Sequence, residues 1–213
     1  MKDIAKFITG FRHFQKKYFG EDRDLFDQLR QGQYPRAVAI ACADSRVDPA
    51  LLTGAEPGDL FVVRNVANLV PPYESGNSFA SVPAALEFAV LSLKVEHIIV
   101  LGHAQCGGIR ALMNGAGADG EFIGKWVSIA QRARERVLAE LSDKSPEMQA
   151  RACEQAAILV SLNNLMTYPW IAQRVKAGEI HLHAWYFDMV NGVLLHYNPV
   201  RECFEPVEST LPG

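Results

Sequence analysis

Three short, uninterrupted apolar runs at residues 38–41, 60–63 and 98–101 limit what this 213-residue chain can become. Each is bounded by Gly, Pro or polar residues and lacks the in-out alternation of a half-exposed strand, so the runs read as strands buried on both faces of a parallel sheet. A helical stretch over 82–93 separates the last two, with Ser81 placed to cap it and Pro83 suited to its first turn. That order predicts a β-α-β unit.

The flanking sequence completes the architecture. Ile4, Phe7, Ile8, Phe11, Phe14 and Tyr18 recur every three or four residues, which predicts an amphipathic helix with an aromatic stripe, followed by a short helix over 23–30. After the third run the spacing predicts a helix over 109–113, a Gly-rich segment at 114–120, and two longer helices over about 122–141 and 147–165. Ser145, Pro146 and Glu147 supply the cap, first turn and dipole complement of the second. A shorter helix opens at Tyr168-Pro169, residues 180–187 read as a strand, and Asn191-Gly192 turns the chain into 193–195. The expected fold class is α/β: a central, mostly parallel β-sheet flanked by helices, with an N-terminal helical arm and a C-terminal antiparallel edge strand. One domain spans 1–213, with 1–33 as the arm.

Composition narrows the partners. A net charge of -3 and a pI near 6.1 give no basic excess for phosphates, so nucleic acid is not expected. No apolar run approaches the roughly 18 residues of a membrane span, and Met1 to Lys6 lacks a signal-peptide core, so a cytoplasmic protein is expected. Cys42, Cys106, Cys153 and Cys203 then read as thiols, not a disulfide framework.

Two segments carry chemistry. Cys42-Ala43-Asp44-Ser45-Arg46 follows the first apolar run, and alternation along an extended chain lets Cys42, Asp44 and Arg46 face one cleft. His103-Ala104-Gln105-Cys106 follows the third run in the same way. Ligand sites in open α/β sheets form outside the carboxyl ends of the strands, so both segments converge there. Two thiolates and an imidazole suit zinc, and three protein ligands leave a fourth position open, as catalysis requires. Gly107 and Gly108 let the backbone approach a ligand.

The pair C-x-D-S-R and H-x-x-C-G-G, with Pro57 to Asn65 between them, resembles the β-class carbonic anhydrases over nearly all of the chain after residue 30. The segments at 70–73, 93–96 and 165–169 are most similar to the plant-type and cyanobacterial-type branch. The resemblance implies one Zn2+ per subunit on Cys42, His103 and Cys106, and hydration of carbon dioxide to bicarbonate through a zinc-bound hydroxide. It implies a catalytic pair in which Arg46 holds Asp44 and Asp44 orients the nucleophile. Gln33, Phe61, Val66, Phe88 and Gly107 match substrate-binding positions, some reached from an adjacent subunit, so a homodimer or higher homo-oligomer is implied. Two thiolates cancel the formal charge of the metal, which predicts a less acidic water than at a three-histidine site and activity rising towards alkaline pH.

The sequence departs from the family pattern in places. Phe88 stands where the plant branch has Tyr, and Ser92 where it has a His that aids proton transfer. Ala39 and Phe187 replace the Trp and Tyr of the bicarbonate-inhibited branch, although Arg64 remains, which predicts a constitutively open metal site. His13, His97, His181, His183 and His196 show no ligand spacing and read as structural or surface residues. Two rival functions use the same residues: a zinc hydrolase of CS2 or COS, and a non-catalytic zinc-binding module.

Overall fold

A computed structural model describes residues 2–21, 23–74, 80–115 and 121–207, with the side chains of residues 2 and 3 excepted. The chain divides into two compact units, Met1–Tyr34 and Pro35–Gly213. The first contains helix α1 (Lys2–Lys16), a wider π-type turn at Lys17–Glu21, and α2 (Arg23–Leu29). Phe14, Tyr18, Phe19 and Phe26 gather into a ring cluster, with centroids 4.8 Å apart for Phe14–Tyr18 and 4.9 Å for Phe19–Phe26. The rest of the stripe stays open: Phe7 is 69% exposed and Phe11 60%.

The second unit is built on six strands, β1 (Ala37–Cys42), β2 (Leu60–Asn65), β3 (His97–His103), β4 (His181–Asp188), β5 (Val193–Asn198) and β6 (Cys203–Pro206), in the order β2-β1-β3-β4-β5-β6. The first four are mutually parallel, and β5 and β6 run antiparallel. The fold is therefore the expected one, with two antiparallel strands at its C-terminal side in place of one. β1 and β3 are buried along almost their whole length, as continuous apolar runs require. β2 differs from the expectation. It lies at the sheet edge beside β1 alone, and its burial alternates, leaving Val62 39% exposed.

Helices α3 (Pro49–Thr53), α4 (Ser81–Glu87), α5 (Gly107–Met113), α6 (Ile123–Val127), α7 (Gln131–Glu140), α8 (Pro146–Leu165) and α9 (Pro169–Lys176) surround the sheet. Val82, Leu86, Ile158, Leu165 and Ile171 from α4, α8 and α9 pack on Val38, Ile40, Ile98, Val100 and Ala184. A second cluster joins α5 to α8 and reaches Cys42 and Cys106. Ser145 caps α8 by accepting from Met148 N at 3.3 Å, with Pro146 in its first turn.

Several local expectations change. Ser81 is the first residue of α4, not its cap; Ala80 holds that position and makes no side-chain bond. The helix ends at Glu87 and passes through a wider π-type turn, Phe88–Ser92, closed by Leu93 N donating to Phe88 O. The single helix expected over 122–141 is two, separated by a tight turn at Ser128–Ala130. There Ser128 Oγ donates back to Lys125 O, and Trp126 Nε1 is committed to Val66 O at 2.7 Å. The Gly-rich stretch falls largely at 116–120, outside the described residues. Among the described residues no helix is long and apolar enough to cross a membrane.

Candidate metal centre

Cys42 is the last residue of β1 and His103 the last of β3, adjacent strands in the sheet. Cys106 follows three residues later, at the start of α5. Their candidate ligand atoms all lie within 4.8 Å of one another, and the two sulfurs are 3.9 Å apart. All three side chains are buried.

Hydrogen bonding fixes the imidazole. His103 Nδ1 lies 2.9 Å from Ala104 O, where it can only donate, which leaves Nε2 as the lone-pair nitrogen. Among the described residues Nε2 is the one buried side-chain nitrogen or oxygen with no hydrogen-bond partner. A buried acceptor left bare costs about 1–3 kcal/mol, so a lone pair aimed at two sulfurs asks for a cation. The thiols are coupled and titrate as a pair: the Cys42 thiol is pushed down, first by its hydrogen bond with Cys106, and the Cys106 thiol is held up by the same bond and by burial. Burial alone would lower His103, but the Cys42 sulfur beside it lifts its pKa above the ordinary value. A soft divalent metal resolves all three at once by replacing protons on sulfur and filling the imidazole lone pair. The residues present fit zinc.

Partners that are not ligands hold each segment. Arg64 donates to Cys42 O at 3.0 and 2.9 Å and to Asp44 O and Val47 O at 2.7 Å each, pinning the turn after β1. Glu154 of α8, 5% exposed, accepts from Cys106 N at 3.0 Å and from Tyr186 hydroxyl at 2.7 Å. Burial raises its pKa above the usual carboxylate value. No local sequence signal marks Glu154 among the carboxylates of α8, because its partners lie on other elements.

Asp44 sits at the mouth of the set, with Oδ2 3.9 Å from His103 Nε2. Arg46 grips it through both oxygens, Nε to Oδ1 at 2.9 Å and Nη2 to Oδ2 at 2.7 Å, and its backbone N–H adds a third bond at 3.0 Å. These bonds hold Asp44 well below the ordinary carboxylate range. Arg46 Nη2 also donates to Gln105 O at 3.2 Å, tying the β1 turn to the β3 turn.

Not every matched position gathers here. Val66 directly follows β2 at the ligand end of the sheet, and Gly107 opens α5 beside Cys106. Phe61 pairs with Val38, four residues before Cys42, roughly 13 Å along the strand. Its ring centroid lies 5.9 Å from that of Phe88, and Phe88 is 45% exposed. Within one chain these two rings are therefore apart from the thiols. Gln33 is an exposed loop residue of the first unit.

Gly108 marks the tightest packing at the site. A Cβ there would lie 2.6 Å from Val66 Cγ1 and 3.0 Å from Ala67 Cβ, and Ala67 sits on a backbone with φ of 64°. Gly108→Ala is therefore expected to destabilise the fold by about 1–3 kcal/mol. A denaturant midpoint unchanged from the parent protein would refute the contact.

An α/β sheet with a buried two-thiol, one-imidazole set at its carboxyl ends is the framework of a metal-dependent enzyme. The family model for carbonic anhydrase matches residues 37–194. β carbonic anhydrase 5, chloroplastic, of Arabidopsis thaliana is 44% identical over 183 residues, covering 85% of this chain and 60% of its own length. The structure of the β-carbonic anhydrase CcaA superimposes with a TM-score of 0.91 at 37% identity, over 99% of this chain and 95% of that one. One of two tetrameric β-carbonic anhydrases from Sordaria macrospora follows at 0.84 and 25% identity, over 96% and 100%. The chain belongs to the β-class carbonic anhydrases.

Proposed function

We propose that this protein catalyses the reversible hydration of carbon dioxide, CO2 + H2O to bicarbonate and a proton, at the centre formed by Cys42, His103 and Cys106. The observation that carries the reading is the bare Nε2 of His103 facing two sulfurs, with the Asp44–Arg46 pair at the mouth. A structural zinc site would have no use for that pair. Zinc, when bound, lowers the pKa of a water and supplies a nucleophile near neutral pH.

The chain's own residues do the rest. Asp44, ionised because Arg46 holds it, accepts a hydrogen bond from the nucleophilic water and aims its lone pair at the carbon of CO2. Arg46 keeps the carboxylate out of the position substrate needs, which is the open state. The N–H of Gly107 is assigned to a substrate oxygen, and Val66 to the apolar wall that excludes water. Gln33, Phe61 and Phe88 complete the pocket across a subunit interface in this reading, consistent with the distance of Phe61 from Cys42 within one chain.

The test is stopped-flow CO2 hydration with zinc fully loaded, and the rate is expected to rise towards alkaline pH. Hydrolysis of CS2 or COS without CO2 hydration would reassign the substrate, and no turnover of any of them would leave a zinc-binding module.

We further propose a homo-oligomer that covers the exposed stripe of α1, supported by the tetrameric state named for the Sordaria macrospora relative. Phe7→Ser with Phe11→Ser is expected to lower the mass measured by analytical ultracentrifugation; an unchanged mass would sink the proposal. The cytoplasm is the compartment we assign, since all four cysteines are free thiols and two must stay reduced to hold metal.

A further inference from the structure

Five of the six histidines stand on the sheet, and His97, His181 and His183 lie at the opposite end of β3 and β4 from His103, where their rings come together. The parallel register sets His97, the first residue of β3, directly across from His181, the first of β4. His183, two residues along β4, projects from the same face as His181. His97 Nδ1 and His183 Nε2 are 3.1 Å apart, and the rings of His97 and His181 are centred 5.6 Å apart.

Two imidazole nitrogens at 3.1 Å stand at the separation of neighbouring ligands on one cation, given metal–nitrogen bonds of about 2.0–2.1 Å. A third ligand requires the exposed His181 ring to turn toward them, while His97 and His183 are half-buried and bonded to each other. Trp185 closes one side, its ring 6.2 Å from that of His183. An open groove of about 950 Å³, lined by His183, Trp185 and His196, brings solvent to the His183 side of the cluster. The Glu96 carboxylate, paired with Arg36, adds negative charge beside the cluster: its pKa is lowered first by Arg36 and then also by His97 and His181. Burial and the two neighbouring rings lower His183, so it stands neutral with a lone pair available.

We propose that His97, His181 and His183 form a second metal site for a divalent borderline cation of the Zn2+, Ni2+ or Cu2+ type. Imidazole is the ligand such ions favour. The site lies at the opposite end of β3 from His103, six residues or roughly 20 Å away. It is separate from the centre formed by the two thiols and does not depend on what that centre catalyses.

Equilibrium dialysis of the zinc-loaded full-length protein against Ni2+, with both metals counted per chain, tests it. One further equivalent of Ni2+ is expected beside a retained zinc. His97→Gln, His181→Gln and His183→Gln should each weaken that binding by about 10–100-fold or more, with zinc content and CO2 hydration unchanged. His196→Gln, paired with Glu205 and outside the cluster, should leave Ni2+ binding as it was. If a half-buried variant fails to fold, the exposed His181→Gln still decides. No additional Ni2+, or Ni2+ binding indifferent to these substitutions, overturns the site and leaves a hydrogen-bonded imidazole pair.

Discussion

A Cys106→Ala variant is expected to purify nearly free of zinc and to hydrate CO2 no faster than buffer, while keeping its fold. Removing one thiolate leaves an imidazole and a single sulfur, too few ligands for a closed three-donor set, and affinity falls with the lost ligand. The fold should survive because Cys106 packs among Ala67, Ile109, Leu112 and Val127, which remain, and only one small buried side chain is shortened. Cys153 is the control. It is also fully buried, but burial pushes its thiol up to about 12 and it takes no part in the ligand cluster, so Cys153→Ala should keep its zinc and its rate. Metal analysis and circular dichroism on both variants decide: comparable zinc in the two proteins would remove Cys106 from the ligand set.

Replacing Asp44 by Asn is expected to separate chemistry from metal binding. Zinc content should stay near that of the parent, and the hydration rate should fall about 10–100-fold, the usual effect of losing a partner one shell out from a metal. The amide keeps the shape but presents a donor where the nucleophile needs an acceptor. Loss of zinc in step with loss of rate would instead make Asp44 part of the metal-holding structure. The same substitution changes acid stability. The folded pKa of Asp44 is depressed, first by its hydrogen bonds from Arg46, so its contribution to stability is full above the unfolded carboxylate value of about 4 and is lost as pH falls through the lower folded value. Below that window parent and variant should converge. Arg46 is half-exposed, so the contribution is reduced by solvent screening.

The ligand set was legible because its members follow apolar runs that form buried strands, β1 and β3. Cys42 ends one such run and His103 another, and parallel strands deliver their carboxyl ends to one edge. The residues that hold the set were not legible in the same way. Glu154 comes 48 residues after the cysteine whose N–H it receives, and nothing local in α8 reveals which carboxylate will be buried. The bonds of Arg64 run to three backbone carbonyls, which carry no side-chain signature. The break between α6 and α7 depends on Trp126 reaching Val66, a tertiary contact that helix periodicity does not contain. The histidine cluster escaped for a related reason: its spacing is across strands, so only the register of β3 against β4 brings His97 to His181 and His183. Phe61 and Phe88 were legible as apolar, but not as remote from the thiols of their own chain.

The edge position of β2 bears on how this protein behaves on dilution. Leu60, Phe61, Val62 and Val63 line a strand with one side of its ladder unpaired, and few charges guard it. In the proposed homo-oligomer such an edge offers a surface to a second copy, and the free energy of folding then carries a mass-action part that grows with the amount of protein present. Melting temperature is then a property of the solution as much as of the sequence, and values taken at different loadings are not interchangeable.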